Sequence, residues 1–316
     1  MFRLDLAGRC FAVVLACLVA SIPAATQPAN SALQNTVVHA MAGRRGAAIV
    51  LDVHSGRVLA SYHLEVAARR VAHPGSSIKT FTLMALLEAG KVDEQTALVC
   101  KRSVSIDGHR LDCTHPQTAQ PLGPSAALAY SCNSYFTSVA TRLTPAQLHD
   151  SLVRDGFNSV TALAPEEVAG SVALAQSQEQ LQLQAIGEWG IDVTPLELVR
   201  AYRNVALLQM NHGEKLAPLF DGLQQSVSYG MGRVAQPAAS MKVAGKTGTA
   251  AAEEGPWTHA WFAGYAPAEN PEIVLVVFLE KGHGGVDAAG VAREIFTAFA
   301  DAGSSGSVHR SAGAQP

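Results

Sequence analysis

The stretch 243–302 reads VAGKTGTAAAEEGPWTHAWFAGYAPAENPEIVLVVFLEKGHGGVDAAGVAREIFTAFADA, and it decides the fold. Three parts of it, Val243 to Ala250, His259 to Tyr265 and Glu272 to Leu279, have the length and composition of β-strands. Apolar residues from Val286 to Ala302 recur at helical spacing, which predicts a closing amphipathic helix. The stretch therefore predicts three successive strands followed by a helix.

Two further strands are predicted near the start of the chain. Ala47 to Val53 and Val58 to Tyr62 flank the turn His54-Ser55-Gly56, which is typical of a β-hairpin. A helix is expected from Ser77 to Ala89, because apolar residues recur there every three to four positions and Gly90 can end it.

The middle of the chain, from Gly123 to Met210, is rich in Ala, Leu and Gln with helical periodicity. It includes expected helices at Ser125 to Leu143 and Pro195 to Leu208. This order predicts an α+β fold: a five-stranded antiparallel sheet flanked by helices, with an inserted all-helical subdomain and a cleft between the two. One domain is expected over residues 37–302, followed by a Gly/Ser/Ala-rich, disordered tail at 303–316.

Composition and charge exclude several classes of protein. The 316 residues are 48% hydrophobic and only 16% charged, which is typical of a globular protein and excludes collagen-like, coiled-coil and disordered chains. The formal net charge is -3 and the cationic residues are scattered, so the chain has no positive surface for a polyphosphate. Nucleic acid is therefore not an expected partner.

The N-terminus has the layout of a secretory leader. Arg3 and Arg9 precede an apolar run from Phe11 to Ile22, and small residues follow at Ala24 and Ala25. We expect residues 1–25 to be a signal peptide or, alternatively, an N-terminal anchor. The protein is then exported, to the periplasm or the outer face of the cytoplasmic membrane.

Three cysteines remain after the leader: Cys100, Cys113 and Cys132. Export permits disulfides, and the turn Ile106-Asp107-Gly108 could bring Cys100 and Cys113 together, so a Cys100–Cys113 disulfide is the favoured expectation. A metal site formed by Cys100, His109, Cys113 and His115 is an alternative, although its spacing matches no common zinc pattern. Two reduced thiols are the third possibility.

A serine and a lysine lie three residues apart in Pro74-Gly75-Ser76-Ser77-Ile78-Lys79-Thr80, at the start of the first predicted helix. At this spacing both side chains project from one helical turn. A lysine with a lowered pKa can then take the proton of the serine hydroxyl, which makes the serine a nucleophile. A Ser/Lys pair at this spacing also arises by chance in chains of this size, so the pair alone decides nothing.

Two further motifs follow in a set order. Ser131-Cys132-Asn133 begins 55 residues after Ser76, and Gly245-Lys246-Thr247-Gly248-Thr249 lies near the end of the chain. Lysine is scarce, with only seven in the chain, and two of the seven, Lys79 and Lys246, fall in the three motifs. The joint occurrence of the three motifs favours a functional interpretation.

With these motifs the sequence resembles the penicillin-binding protein transpeptidase domain, the serine D,D-peptidase or penicillin-recognising family. The resemblance extends over most of residues 44–302. The segments Ala48 to Asp52, Thr194 to Leu198 and His259 to Tyr265 also resemble family sequence. The Cys100 to Cys113 loop resembles family members that carry a cysteine pair before the second motif. The resemblance implies a fold like that of β-lactamases and transpeptidases.

The resemblance implies that the chain is a peptidoglycan D,D-transpeptidase, which cross-links the cell wall through a serine acyl-enzyme and is covalently inhibited by β-lactams. Ser76 is the implied nucleophile toward D-Ala-D-Ala stem peptides, with Lys79 as its base and Ser131 as a proton relay. Lys246 supplies positive potential as the fourth catalytic residue. The implied substrate-binding residues are Asn133, Thr247, Gly248 and Thr249, and no metal or organic cofactor is expected.

The sequence departs from larger family members because only about 40 residues precede the hairpin. We therefore expect a transpeptidase domain without a glycosyltransferase module, for which a glycan-polymerising or scaffold protein is an expected partner. A D,D-carboxypeptidase, which trims stem peptides, remains an alternative.

A serine β-lactamase and a non-catalytic binding module are also compatible with parts of the pattern. A β-lactamase needs a deacylating base, and Glu166 and Glu167 lie between the second and third motifs, although a solvated surface turn is the favoured interpretation of these two residues. The non-catalytic module would bind β-lactams or peptidoglycan without turnover. His73, beside the nucleophile, is interpreted as structural because a lysine already serves as base.

Overall fold

A computed structural model describes residues 31–211, 213–238 and 241–311. The helices number ten in these residues: α1 (Ser31–Ala40), α2 (Leu64–Arg69), α3 (Lys79–Glu88), α4 (Pro124–Ala129), α5 (Asn133–Ala140), α6 (Pro145–Arg154), α7 (Gln178–Gln184), α8 (Pro195–Gln209), α9 (Ala217–Ser228) and α10 (Ala289–Ser311). The expected leader, residues 1–25, lies outside the described residues. Among the described residues, no helix combines the length and the apolarity that crossing a bilayer requires.

The strands of the described residues form three sheets. They are β1 (Gly46–Asp52), β2 (Val58–Tyr62), β3 (Ser103–Ile106), β4 (His109–Asp112), β5 (Ser171–Val172), β6 (Ile191–Asp192), β7 (Ala244–Ala251), β8 (Thr258–Ala266) and β9 (Ile273–Leu279). The main sheet has five antiparallel strands in the order β2-β1-β9-β8-β7. The hairpin and the three late strands thus pair as the sequence predicts, and the α+β fold is confirmed.

Both faces of the main sheet are covered, which explains its uninterrupted apolar strands. All seven residues of β9 are buried. On one face, α1 and α10 pack against the sheet through residues such as Val37, Ile295 and Phe296. On the other, α3 and α8 pack through residues such as Phe81 and Tyr202. Because α1 begins at Ser31, the packed region starts before the expected boundary at residue 37.

The insert between β2 and β7 differs from the expected all-helical subdomain. It carries two short antiparallel pairs, β3 with β4 and β5 with β6, beside its helices. The helix expected from Ser125 to Leu143 is interrupted between α4 and α5, at Tyr130 to Cys132. At the other end of the chain, the backbone of α10 continues to Ser311, into the tail expected to be disordered, and residues 312–316 lie outside the described residues.

The strand β7 is an edge strand of the main sheet, and it borders the insert. An edge strand has unpaired backbone N–H and C=O groups along its outer side. The cleft predicted between sheet and helices lies along this edge, lined by residues of the turn before α3, of the α4–α5 junction and of β7.

Candidate active site

The loop that carries Ser76 lies directly against β7. Gly75 has a φ of +51°, and a Cβ atom there would lie 2.5 Å from the carbonyl oxygen of Thr249. On the facing strand, a Cβ atom at Gly248 would lie 2.4 Å from the carbonyl oxygen of Pro74. These two glycines permit the backbones to touch, and the contact brings Thr247 and Thr249 beside Ser76.

The second motif occupies the turn between α4 and α5. Ser131 adopts a φ of +54°, a left-handed conformation that costs a residue with a Cβ atom about 1–2 kcal/mol. The turn ends one helix and starts another, which points the Ser131 hydroxyl and the Asn133 amide into the cleft with Ser76. Strain of this kind persists only where surrounding contacts hold it.

Those contacts come from the two motif lysines. The Lys79 Nζ donates to the Ser131 carbonyl oxygen at 2.9 Å, to the Ser131 Oγ at 3.3 Å and to the Asn133 Oδ1 at 2.5 Å. The Lys246 Nζ donates to the same Ser131 Oγ at 2.9 Å and to the Thr247 carbonyl oxygen at 2.9 Å. The Ser131 hydroxyl therefore lies between two amines and can pass a proton from one to the other.

Both lysines are fully buried, and burial changes their chemistry. Loss of solvent disfavours the charged form and lowers the pKa of Lys79 to about 8. Burial, together with the positive charge of Lys79, holds the pKa of Lys246 well below its ordinary value. A lysine amine can thus be neutral near physiological pH, which a general base next to a serine requires.

The structure brings all the predicted site residues together. Ser76, Ser131, Asn133, Thr247 and Thr249 line one cleft, with the two lysines buried behind it and Gly248 between the two threonines. The Thr249 Oγ1 accepts a hydrogen bond from the Gly284 N–H at 3.0 Å, so the glycine-rich turn after β9 also positions the third motif. The sequence pattern did not predict that contact.

Glu188 is a cleft residue that the sequence analysis missed. Its carboxylate lines the cleft with Ser76 and interacts electrostatically with Lys79. Partial burial raises its pKa. Its side chain has no hydrogen bond or ion pair to any residue that the structure describes, whereas the other carboxylate in the cleft, Asp112, pairs with Arg110. No motif rule marks Glu188, because only its position after α7 brings it to the cleft.

His73 has the structural role that was expected. Its Nδ1 lies 2.6 Å from the Asp192 carboxylate, and this hydrogen bond raises the pKa of the imidazole to about 9. Its carbonyl oxygen accepts a hydrogen bond from the Trp261 Nε1 at 3.0 Å. The residue fixes the loop before Ser76 to β6 on one side and to β8 on the other.

Glu166 and Glu167 lie in a surface turn and do not line the cleft. Glu166 is exposed and pairs with Arg69 at 3.2 Å. The Glu167 carboxylate accepts hydrogen bonds from the Thr161 side chain and the Ala164 N–H, so it stabilises the turn. This placement agrees with the favoured interpretation and gives neither residue access to an acyl ester on Ser76.

The expected Cys100–Cys113 disulfide is not formed in the structure, where Cys100, Cys113 and Cys132 are free thiols. Instead, Cys100, Cys113, His115 and Cys132 form a cluster whose ligand atoms all lie within 4.8 Å of one another. His109, which the sequence offered as a ligand, is exposed at the start of β4 and lies outside the cluster. These four clustered residues are the ones that can hold a metal ion in the described part of the chain.

The family model described as "Penicillin binding protein transpeptidase domain" matches residues 46–299. Among curated proteins, the peptidoglycan D,D-transpeptidase MrdA of Acinetobacter baumannii is 24% identical over 84% of this chain and 52% of its own length. The peptidoglycan D,D-transpeptidase FtsI of Escherichia coli is 26% identical over 76% of this chain and 47% of its own length. The chain spans about half the length of the curated relatives it matches.

Solved structures show the same fold. PBP2 of Pseudomonas aeruginosa superposes with a TM-score of 0.76 at 22% identity, covering 85% of this chain and 77% of that one. A peptidoglycan glycosyltransferase from Burkholderia ambifaria superposes with a TM-score of 0.77 at 22% identity, covering 87% of this chain and 96% of that one. At this identity the superpositions establish the architecture alone.

Proposed function

Because the chain belongs to the penicillin-binding protein transpeptidase family, we propose that it is a peptidoglycan D,D-transpeptidase that acts through an acyl ester on Ser76. One observation carries the proposal. The Ser131 hydroxyl lies within hydrogen-bond distance of both motif lysines, in a cleft that Ser76 lines. The arrangement joins a nucleophile, a base and a proton relay in one site.

In the first half-reaction, the Ser76 Oγ attacks the carbonyl carbon of the penultimate D-alanine of a stem peptide. The hydroxyl proton moves to the neutral Lys79 amine. The backbone N–H groups of Ser76 and Thr249 stabilise the oxyanion of the tetrahedral intermediate, and each such donor contributes about 3 kcal/mol in acyl-transfer enzymes. The C–N bond then breaks, the leaving amine takes a proton through Ser131, and terminal D-alanine departs.

In the second half-reaction, an amine from a neighbouring stem peptide attacks the ester. Its proton returns through the same lysine and serine groups, a new amide forms, and the Ser76 hydroxyl is restored. The Asn133 amide holds the acyl chain, while the Thr247 and Thr249 hydroxyls bind the substrate carboxylate near the Lys246 amine. The open edge of β7 lets the donor peptide bind as an added strand.

A second candidate, D,D-carboxypeptidase, is favoured by Glu188. A carboxylate with raised pKa, open to the cleft and without a structural partner among the described residues, can take a proton from an attacking water. Water would then compete with the acceptor amine for the ester. The two candidates share every step up to the acyl-enzyme and differ only in the acceptor.

Incubation of the full chain with benzylpenicillin, followed by intact-mass spectrometry over hours, tests the nucleophile. Opening of the β-lactam ring releases no leaving group, so acylation should increase the protein mass by the full mass of one benzylpenicillin molecule. Ser76→Ala should show no gain. Ser77→Ala is the matched control, since the Ser77 hydroxyl instead donates to the Pro74 carbonyl oxygen at 2.8 Å, and it should still be acylated.

A stem peptide ending in D-Ala-D-Ala then separates the remaining candidates. Cross-linked product in the presence of an acceptor amine supports transpeptidation, and released D-alanine without cross-links supports trimming. Rapid loss of the penicilloyl adduct with drug hydrolysis would identify a β-lactamase, and binding without any turnover of the peptide would identify a sensor or scaffold module. Either of these last two results refutes the proposal.

We further propose that the protein is exported and acts on peptidoglycan outside the cytoplasm, together with a glycan-polymerising or scaffold protein. The names of the curated relatives, which are peptidoglycan D,D-transpeptidases, support this location. Protease treatment of spheroplasts that express the chain should digest it, whereas a cytoplasmic control protein should stay intact. Resistance to protease until the cells are lysed would place it inside and contradict the proposal.

A further inference from the structure

Four potential metal ligands converge beside the second motif. Cys100 precedes β3 and Cys113 follows β4, and the hairpin brings them together because the Cys113 N–H donates to the Arg102 carbonyl oxygen at 2.7 Å. His115 lies two residues further on. Cys132 comes from a different part of the chain, the residue between Ser131 and Asn133 at the start of α5.

Two distances between ligand atoms match a tetrahedral zinc site, and the remaining ones are short enough for the same four atoms to close around one ion. Zn–S bonds of about 2.3 Å and Zn–N bonds of about 2.0–2.1 Å place two sulfurs about 3.8 Å apart and a sulfur and a nitrogen about 3.6 Å apart. In the structure, the Cys113 and Cys132 sulfurs are 3.8 Å apart, and the Cys100 sulfur lies 3.6 Å from the His115 Nε2. All four ligand atoms fall within 4.8 Å of one another.

The surroundings of the cluster also suit a metal. The His115 Nδ1 donates to the Pro116 carbonyl oxygen at 2.7 Å, which leaves the Nε2 lone pair free on the side that faces Cys100. Backbone N–H groups donate to two of the sulfurs, from Arg102 to Cys100 at 3.3 Å and from Ser134 to Cys113 at 3.4 Å. Such bonds stabilise thiolates, and they orient the ligands.

A disulfide explains this arrangement less well. A sulfur–sulfur bond is about 2.05 Å long, far shorter than the 3.8 Å between the Cys113 and Cys132 sulfurs, and it would leave a third thiol unpaired. It would also give no role to His115, an imidazole that is only 1% exposed and whose free nitrogen faces a cysteine. Three sulfurs and one imidazole nitrogen are instead a ligand set typical of zinc.

We propose that Cys100, Cys113, His115 and Cys132 bind one zinc ion in a closed, structural site. On binding, the three thiols lose their protons to solvent and four bonds to the metal form, without any oxidant or reductant. All four positions are taken by protein, so no position is open for substrate or catalytic water. The site lies outside the acyl-transfer machinery, whose residues make no use of the metal.

The site would position the second motif, and this part of the inference rests on the proposed function. Cys132 anchors the turn that carries Ser131, and the Asn133 Nδ2 donates to the Asp112 carbonyl oxygen at 3.0 Å, one residue before Cys113. The hairpin and the turn are thereby joined at two adjacent points. Loss of the metal should loosen the turn and slow acylation of Ser76.

Metal content of the full chain, measured by elemental mass spectrometry after dialysis, is the first test. We expect about one zinc per chain. Cys100→Ser should lower zinc affinity more than about tenfold, and Cys100→His, which restores a ligand at the partly exposed corner of the cluster, should recover much of it. His109→Ala is the matched control in the same hairpin and should retain full metal content.

Two spectroscopic and chemical readouts distinguish metal from disulfide without relying on activity. Cobalt substitution should give the intense visible bands of a tetrahedral thiolate site, lost in Cys100→Ser. Alkylation without reductant, followed by peptide mapping, should leave the cysteines of the folded, metal-bound chain protected, and it should modify all three once a chelator and denaturant are added. Blocked cysteines that yield only to reductant would show a disulfide, and three open thiols with no metal would show a simple thiol cluster. Both outcomes overturn the proposal.

The zinc-site proposal and the proposed function can be refuted independently of each other. A chain that binds zinc but is not acylated by benzylpenicillin would retain the metal site and lose the proposed function. A chain that is acylated equally fast with and without zinc would retain both the site and the function, and it would refute the positioning role of the metal.

Discussion

Removal of the Ser131 hydroxyl is the sharpest test of the proposed proton relay. Ser131→Ala deletes the acceptor shared by the Lys246 amine at 2.9 Å and the Lys79 amine at 3.3 Å, but it keeps the Lys79 bond to the Ser131 carbonyl oxygen. A hydrogen bond that involves a charged group contributes about 1.5–3 kcal/mol. Loss of about 3 kcal/mol in the transition state corresponds to an acylation rate about 100-fold lower.

Ser131→Gly is the matched variant that separates chemistry from backbone strain. It loses the same hydroxyl but relieves the left-handed φ of +54°, so it should unfold at a higher temperature than Ser131→Ala, by roughly 1 kcal/mol of stability. Stopped-flow acylation with a fluorescent penicillin and thermal melts measure both quantities. Acylation of both variants within about threefold of the wild-type rate would refute the relay, whatever their stabilities.

The base, the unpaired carboxylate and the close backbone contact of the cleft each give a further prediction. The acylation rate should rise about tenfold per pH unit below pH 8 and become constant above it, because Lys79 acts as a base only when neutral and its pKa lies at about 8. A rate that does not change with pH would exclude Lys79 as the base. Glu188→Gln should slow hydrolysis of the acyl-enzyme, measured by loss of the penicilloyl mass, by about tenfold or more. Acylation measured above pH 8 should be unchanged, because Lys79 is neutral there with or without the Glu188 charge. Unchanged hydrolysis would give the carboxylate no role in deacylation. Gly248→Ala should slow acylation at least about tenfold, because its Cβ would lie 2.4 Å from the Pro74 carbonyl oxygen. Gly290→Ala is the control: its Cβ would have no neighbouring atom within 4 Å, so its acylation rate should match that of the wild type. Equal rates for the two variants would show that the close contact at Gly248 is dispensable.

The parts of the fold that the sequence predicted are those in which local pattern and burial agree. Strand β2 has the predicted bounds, because the turn before it marks its start. Strand β9 differs from its predicted bounds by one residue at its start, because a strand covered on both faces is apolar throughout. Helix α8 likewise begins at Pro195, where Thr194 caps it with a reciprocal bond to Glu197. In each case a few residues that are close in sequence are sufficient to predict where the strand or helix begins.

The interrupted helix shows where local pattern fails. Residues 125–143 keep helical periodicity through Tyr130 and Cys132, and the polar residues Ser131 and Asn133, which are common at helix ends, are the only local sign of a break. The break is set by distant residues: Lys79 and Lys246 bond to the Ser131 turn from 52 and 115 residues away. Tertiary contacts override helix propensity here, which is common where a site requires an irregular backbone.

The cysteine cluster shows a second kind of failure. Pairing of Cys100 with Cys113 followed from the turn between them, and the hairpin does bring their segments together. The fourth ligand could not be identified from spacing, because Cys132 follows His115 only after helix α4 and reaches the cluster through the packing of the insert. His109 was the wrong histidine because it is exposed at the start of β4 and lies outside the group formed by the three sulfurs.

The broken helix and the cysteine cluster meet at the same three residues, Ser131 to Asn133. On one side of this turn the lysine amines bond to Ser131, and on the other Cys132 lies 3.8 Å from Cys113 in the cluster. A left-handed serine costs about 1–2 kcal/mol, so contacts on both sides are needed to hold it in one conformation while substrate binds. If the metal is one of those contacts, chelation should slow acylation by a smaller factor in Ser131→Gly than in the wild-type chain, because glycine adopts the turn without strain. Equal factors in both chains would show that the cluster acts on the turn by some route other than its backbone strain.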